Sequence, residues 1–404
     1  MLNRREFLVA AGAAAAAPMA GGAAPEAGAK TFRLWATGCA HVGTDKRHKR
    51  ESLAEAIRQS EQGDGGFEWD IALHVGDMSG TQGLPDGREG REAVRQFDAL
   101  RKHRREQFYC LAGNHDADPG CRWFRTWIDP TGENTEQSGL NAARRPYPIT
   151  GSWERYSFRV GNLLFLMMSD RNDLELPVGR GRAGARGGYP AGALTGQTFE
   201  WWKRMVEANK DAVIISAHHQ MLRETTVGSG LWEGTGRPGR NGQVPKGVKR
   251  GKYSFRYHGY FPKGAPQGAS YLYFVDGKGD AQAFEGYLAR HPNAIDLWIG
   301  GHTHSYPDDR LNGRTHVERK WDVNFINCAA LTRHHAGRCP MSRLLTFTEG
   351  SDTARVQLYL HTSRFAPKGF CEKFGRTLKL SKPFRPPTGC GSRESATSPR
   401  PCRP

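Results

Sequence analysis

Outside its first thirty positions the chain has no apolar run approaching about 18 residues, which leaves no candidate for a membrane-spanning helix. Cysteine is sparse. There are eight in 404 residues (Cys39, Cys110, Cys121, Cys328, Cys339, Cys371, Cys390 and Cys402), too few for a disulfide scaffold. No Cys-x-x-Cys pair occurs among them, which argues against a zinc ribbon. In an exported chain they would allow one to three disulfides, with the pairing open. Acidic residues are also short: 41 against 58 Lys and Arg, a formal charge of +17. Such a balance suits anionic partners (phosphorylated substrates, nucleic acid, an acidic membrane face) and equally a solvated basic surface. Hydrophobic residues make up only 37%, while 50 glycines and 23 prolines imply many ordered loops around a modest core. The length allows one large domain or two ordinary ones, and no internal repeat is visible.

At the N-terminus, Asn3-Arg4-Arg5-Glu6-Phe7-Leu8 precedes a mildly apolar, alanine-rich stretch over 9–24. A charged start followed by a short apolar core is the form of a signal peptide, and paired arginines before Phe-Leu resemble the twin-arginine export signal. Ala27-Gly28-Ala29 offers a small-x-small cleavage site, with Ala20 and Ala24 as alternatives. The expectation is a leader at 1–29 and an exported, periplasmic or extracytoplasmic protein. The competing reading is a disordered alanine-rich tail.

From residue 31 the pattern alternates strands and helices. Strands are expected at 31–37, 70–75 and 108–110, with helices at 49–62 and 91–103 between them. Gly161-Asn162 joins two apolar runs, 153–160 and 163–169, as a hairpin. A helix at 195–209, a strand at 212–216, a helix at 280–291 and strands at 295–299, 323–329, 343–348 and 355–360 follow. A glycine-rich loop at 170–192 and a basic excursion at 221–268 interrupt this order, and from about residue 366 the composition suggests a weakly structured tail. Residues 30–365 read as one catalytic domain of α/β class.

The stretch around which the rest is arranged is Gly113-Asn114-His115-Asp116, at the end of a predicted strand. Alone it would be an ordinary turn. Four more polar clusters end predicted strands: Cys39-x-His41, Gly76-Asp77, His218-His219 and Gly301-His302-x-His304. Imidazole, carboxylate and amide oxygen converging from rigid elements suit divalent metals. Two metals about 3.5–4 Å apart need a shared ligand, and Asp77, with two carboxylate oxygens, suits that place.

In this order the five clusters resemble the signature of the calcineurin-like metallophosphoesterase superfamily. The resemblance spans roughly residues 32–360. It implies a four-layer α/β/β/α sandwich of two mixed sheets flanked by helices. It also implies a first metal on Cys39, His41, Asp77 and His304, and a second on Asp77, Asn114, His218 and His302. His115 would act as general acid or charge stabiliser, oriented by Asp116. The implied activity is phosphatase or phosphodiesterase chemistry on a phosphorylated small molecule or lipid, with two divalent or mixed-valence ions (Fe, Zn or Mn). A hydroxide generated between the ions would be the nucleophile. Other readings are a catalytically inactive anion-binding protein on the same fold and a basic nucleic-acid-binding protein.

Cys39 departs from the family, which opens this motif with Asp. As a thiolate it keeps the charge and favours iron or zinc over magnesium. Alternatively it is a bystander beside a weak or absent first metal, or half of a disulfide. His219 is read as substrate-side or structural, His74 as a satisfied core imidazole, and His334-His335 as surface or loop residues. Gly179-Arg180-Gly181-Arg182-Ala183-Gly184 matches a dinucleotide fingerprint but lacks the flanking strand and helix. It is better read as a basic loop whose Arg180 and Arg182, with Arg186, could meet phosphate. The excursion residues Lys246 to Phe261, including Arg250, Arg256 and Tyr257, could bind nucleic acid or cover an active-site rim.

Overall fold

The computed structural model describes residues 28–62, 65–81, 83–173, 192–229, 272–274, 282–310, 314–333 and 339–388. All but the last two residues of the expected leader lie outside these, as do Arg180, Arg182, Arg186, the 246–261 segment and His334-His335.

The first elements follow the expected order: β1 (Thr31–Thr37), α1 (Ser52–Glu61), β2 (Ile71–Val75), α2 (Gly87–Phe97) and β3 (Phe108–Leu111). Helix α2 starts four residues earlier than expected because Asp86 caps it, accepting from the Arg88 and Glu89 amides. Two short helices not anticipated from the sequence follow, α3 (Arg122–Trp127) and α4 (Thr135–Ser138). Next come β4 (Thr150–Gly151), β5 (Arg155–Val160), β6 (Leu163–Met168), β7 (Gly192–Leu194), α5 (Gly196–Ala208) and β8 (Val213–Ala217). The chain continues through β9 (Leu272–Phe274), α6 (Gln282–Arg290), β10 (Leu297–Gly300), β11 (Val317–Lys320) and β12 (Val323–Asn327). It closes with β13 (Met341–Thr348), β14 (Thr353–Leu360), β15 (Gly369–Phe370) and β16 (Arg376–Lys379).

Among the described residues these strands build two seven-stranded sheets and a small β7–β9 pair. The first sheet runs β15-β14-β13-β1-β2-β3 with β16 also on β14, and the second β11-β12-β10-β8-β6-β5-β4. Both are mixed: β1, β2 and β3 are parallel, as are β6, β8, β10 and β12, while β13, β5 and β11 join antiparallel.

Side-chain alternation explains the layering. In β1, Phe32, Leu34 and Ala36 face the second sheet, while Trp35 points outward against α1. In β6, Leu163, Phe165 and Met167 face the first sheet, and Leu164, Leu166 and Met168 meet α5 and α6. Strands covered on both faces read as continuous apolar runs, as β2 and β6 do. Helix α1 covers Trp35 with Leu53, Ala56 and Ile57, and Trp202 and Val206 of α5 pack with Phe284 and Leu288 of α6. The result is helices, sheet, sheet, helices: the four-layer sandwich expected from the sequence.

One segment departs from expectation. Residues 369–379, assigned to a weak tail, pair with β14 as two edge strands, and Phe384 is buried between the sheets. Asn162 locks this end by exchanging hydrogen bonds with the Arg385 backbone. Edge strands bury one face only, and three apolar anchors (Leu378, Leu380, Phe384) among prolines and charges gave too little pattern to detect. Residues 389–404 lie outside the described part. None of the described helices is long and apolar enough to cross a membrane.

Candidate metal centre

Parallel strands deliver their C-terminal ends to one side, so Cys39 and His41, Asp77, Gly113–Asp116, His218-His219 and His302–His304 all leave from adjacent strand ends. Backbone bonds stitch these loops together within each sheet and between them. Cys39 N donates to Gly76 O (2.9 Å) and Gly301 N to His219 O (2.8 Å), while Leu331 N reaches across to Gly38 O (3.0 Å). Cys39, His41, Asp77 and His302 have φ of 49°, 43°, 58° and 65°. This left-handed region is uncommon for residues with side chains, and such strain clusters where geometry serves a function.

The centre of the cluster is a single oxygen, Asp77 Oδ2. It lies 3.0 Å from His219 Nε2, 3.5 Å from His41 Nε2 and 4.0 Å from Cys39 Sγ. His304 Nε2 is 3.2 Å from His41 Nε2 on one side, and His302 Nδ1 is 3.2 Å from His219 Nε2 on the other. The second oxygen, Asp77 Oδ1, is taken by the His115 amide (2.8 Å). All these side chains are at most 2% exposed. Burial alone would raise the Asp77 carboxyl, but His219, His115 and His41 outweigh it and hold it well below its usual range.

The tautomers decide what the rings can offer. His219 Nδ1 lies 2.6 Å from Val75 O, an acceptor, so Nδ1 carries the proton and Nε2 presents a lone pair to Asp77. Burial opposes a second proton on this ring, yet the Asp77 charge prevails and raises it to about 9. A carboxylate facing that lone pair needs a cation between them, a proton or a metal. His218 differs. Its Nδ1 lies 3.0 Å from Gln220 N and 3.3 Å from Gln220 O, and its Nε2 lies 4.0 Å from Asp170 Oδ2. His219, rather than the adjacent His218, is therefore the imidazole brought onto Asp77.

Asn114 is buried, and its Oδ1 has no hydrogen-bond partner among the described residues. A buried amide oxygen left this way costs about 1–3 kcal/mol unless something it can ligate comes to it. His115 Nδ1 donates to Thr81 O (2.6 Å), and its ring stands edge-on to His41 with centroids 4.6 Å apart. Asp116 does not orient that ring, contrary to the expectation. Its carboxylate accepts from Ser79 N and Gly113 N, both at 2.7 Å, and so fixes the loop that carries Asn114 and His115. Burial first, then the Asp77 charge, raises the Asp116 carboxyl.

Asp170 was passed over in the sequence as the start of a loop. It is fully buried, accepts from Asn172 N (2.8 Å) and faces His218. Its signal was the one that marked the other clusters: a polar residue directly after an apolar strand, Leu163–Met168. His74 is buried as expected, but neither ring nitrogen has a hydrogen-bond partner among the described residues, and burial lowers it to about 3. Six cysteines, Cys39 among them, are free, which removes the disulfide reading for Cys39.

The sequence profile of the calcineurin-like phosphoesterase family matches residues 32–306. The chain belongs to that family. No curated protein matches it in sequence. Similar solved structures include GAP50, the anchor in the inner membrane complex of Plasmodium, at 9% identity and TM-score 0.44, covering 87% of this chain and 90% of that one. Vps29 of Entamoeba histolytica, as a single mutant, is 11% identical with TM-score 0.31, covering 86% of this chain and 99% of that one. Vps29 of Chaetomium thermophilum is 10% identical, also with TM-score 0.31, covering 87% and 100%.

Against the calcineurin-like pattern, the donors present fit a metal. Cys39, His41 and His304 place ligand atoms within 4.8 Å of one another, and so do Cys39, Asp77 and His219. Nitrogen, carboxylate and thiol in one buried cluster make a borderline-soft donor set, suited to zinc or iron. Cys39 stands among these donors and not apart from them.

Proposed function

We propose that this chain is a metal-dependent phosphoester hydrolase, a phosphatase or phosphodiesterase, working with two cations that share Asp77. The observation that supports the reading is the gathering of Cys39, His41 and His219 around Asp77 Oδ2, with His304 beside His41 and His302 beside His219. Asn114 Oδ1, buried and without a hydrogen-bond partner among the described residues, would serve as a further donor. His219 takes the place that the sequence assigned to His218. Iron, zinc or manganese suits these donors, and a bound pair would supply Lewis acidity and lower the pKa of water at the site.

The remaining residues serve positioning and proton transfer. His115 donates Nδ1–H to Thr81 O, which leaves its other ring nitrogen, beside His41, to hold a proton for a departing alkoxide. Asp116 keeps the Gly113–His115 backbone in place, and the His115 amide in turn fixes Asp77. His218 lies beside the centre with its Nε2 toward Asp170, a placement that suits a supporting role.

The substrate is a phosphorylated small molecule or lipid, and residues 1–29 are a twin-arginine leader that exports the folded chain. The paired Arg4-Arg5 before Phe7-Leu8 supports the leader, and N-terminal sequencing of secreted protein tests it. The activity is tested by turnover of a panel of phosphomonoesters and phosphodiesters after loading with Mn, Zn or Fe. Hydrolysis that disappears on chelation is the expected result. A metal-loaded chain that cleaves none of them would be an anion-binding protein instead.

A further inference from the structure

Away from the metal centre, a cavity of about 290 Å³ opens between the edges of the two sheets. Its wall carries Arg343 from β13 and His316, which directly precedes β11. Arg343 shares the inward face of β13 with Leu345 and Phe347 and is only 1% exposed. Among the described residues its guanidinium makes one hydrogen bond, from Nε to Asn327 O (3.4 Å), and pairs with no carboxylate. Burial lowers it to about 10, which still leaves it charged at neutral pH. His316 is 3% exposed, with Nε2 2.8 Å from Ser305 Oγ and Nδ1 without a partner among the described residues. Burial, then the Arg343 charge, keeps it neutral.

A buried guanidinium without a counter-charge is costly, by several kcal/mol in general, and a bound anion would offset that cost. Lys373, Arg376 and Arg310 surround the opening, against Asp308 and Asp309. Asp309 is turned to the Tyr306 amide (2.7 Å). The lining therefore carries a surplus of positive charge with a planar, bidentate-capable donor in its wall.

We propose that this cavity is a second anion-binding site, built for a phosphate group, separate from the metal centre. The phosphate is either free inorganic phosphate or the head of a small organic phosphate, since the volume lies near the lower end of small-molecule pockets. Its wall is continuous with the metal-ligand loop. Asn327, whose carbonyl Arg343 holds, bonds Thr303 between His302 and His304, and His316 holds Ser305 one residue further on.

The test is calorimetric titration of the full chain, metal-loaded and after chelation, with inorganic phosphate and separately with glycerol phosphate. Saturable binding of either probe that survives chelation is expected, and the stronger probe identifies the source. Lys373→Ala with Arg376→Ala, both at the mouth, should weaken it about tenfold or more. Arg343→Met should abolish it, and if that variant fails to fold the mouth variant still decides. No saturable binding after chelation, or binding indifferent to the mouth substitutions, overturns the proposal. Neither result depends on whether the metal centre hydrolyses anything.

Discussion

His219 Nε2 lies 3.0 Å from Asp77 Oδ2, while the neighbouring His218 turns its Nε2 toward Asp170. Two adjacent histidines on one strand end thus face different partners: His219 Nδ1 is held by Val75 O and His218 Nδ1 by the Gln220 backbone. His219→Ala should remove one cation per chain and lower turnover more than about 100-fold, the upper end of what losing even a supporting residue costs. His218→Ala should keep both cations. Elemental analysis of the two purified variants separates them, and the reverse outcome would exchange their roles.

Cys39 is the position where this chain parts from its family. Cys39→Asp should retain two cations and shift preference from zinc or iron toward manganese or magnesium, since an oxygen donor replaces sulfur. Cys39→Ala should weaken one of the two sites. Competition between Zn and Mn, read by metal analysis, measures both. Two cations and full activity in Cys39→Ala would make the thiol a bystander.

The backbone beneath the cluster is as constrained as its side chains. A Cβ on Gly113 would lie 2.3 Å from Asp77 N and 2.4 Å from Asp77 Oδ1, and one on Gly76 2.7 Å from His219 Nδ1. Gly113→Ala must push these strand ends apart. It should cost on the order of 2–3 kcal/mol and reduce metal binding, measured by urea unfolding beside a metal titration. An unfolding midpoint equal to wild type would show that the loops approach less closely.

The sequence disclosed the layers, and the collection of polar side chains at the strand ends, for a physical reason. Strands buried on both faces carry few polar residues in their middle, His74 being an exception, so polar residues collect at their ends, and the ends of parallel strands meet. The placement of Asp77, Asn114 and His302 just past strand ends was legible on that ground. What was not legible depends on ring orientation. Whether His218 or His219 faces Asp77 is settled by which backbone group each ring meets: Val75 O on β2 for His219, and the Gln220 backbone in the loop after β8 for His218. Asp116 shows the same limit: adjacency to His115 suggested a side-chain pair, but its oxygens went to the Ser79 and Gly113 amides.

Acid should destabilise the fold through buried neutral histidines outside the centre. His361 has Nδ1 2.9 Å from Gln59 Oε1 and Nε2 2.9 Å from Ser342 Oγ, and burial, then Arg50 and Lys368, holds it well below 6.5. The unfolded chain takes up this proton first, so the contribution is complete above about pH 6.5 and shrinks as pH falls. The loss is at most about 1.4 kcal/mol per pH unit for this residue, and His316 acts with the same sign. Urea midpoints near pH 7.5 and near pH 5.5 should differ, and His361→Gln should reduce the difference. An unchanged difference would place the acid sensitivity elsewhere.

The central claim is that Asp77 couples two cations into one hydrolytic centre. It is tested most directly by adding metal back to chelated protein in steps while following turnover of a chromogenic phosphoester. The account predicts activity that appears with the second equivalent, levels off at two per chain and does not return in Asp77→Asn. Two bound equivalents without turnover, or full recovery in Asp77→Asn, would contradict it.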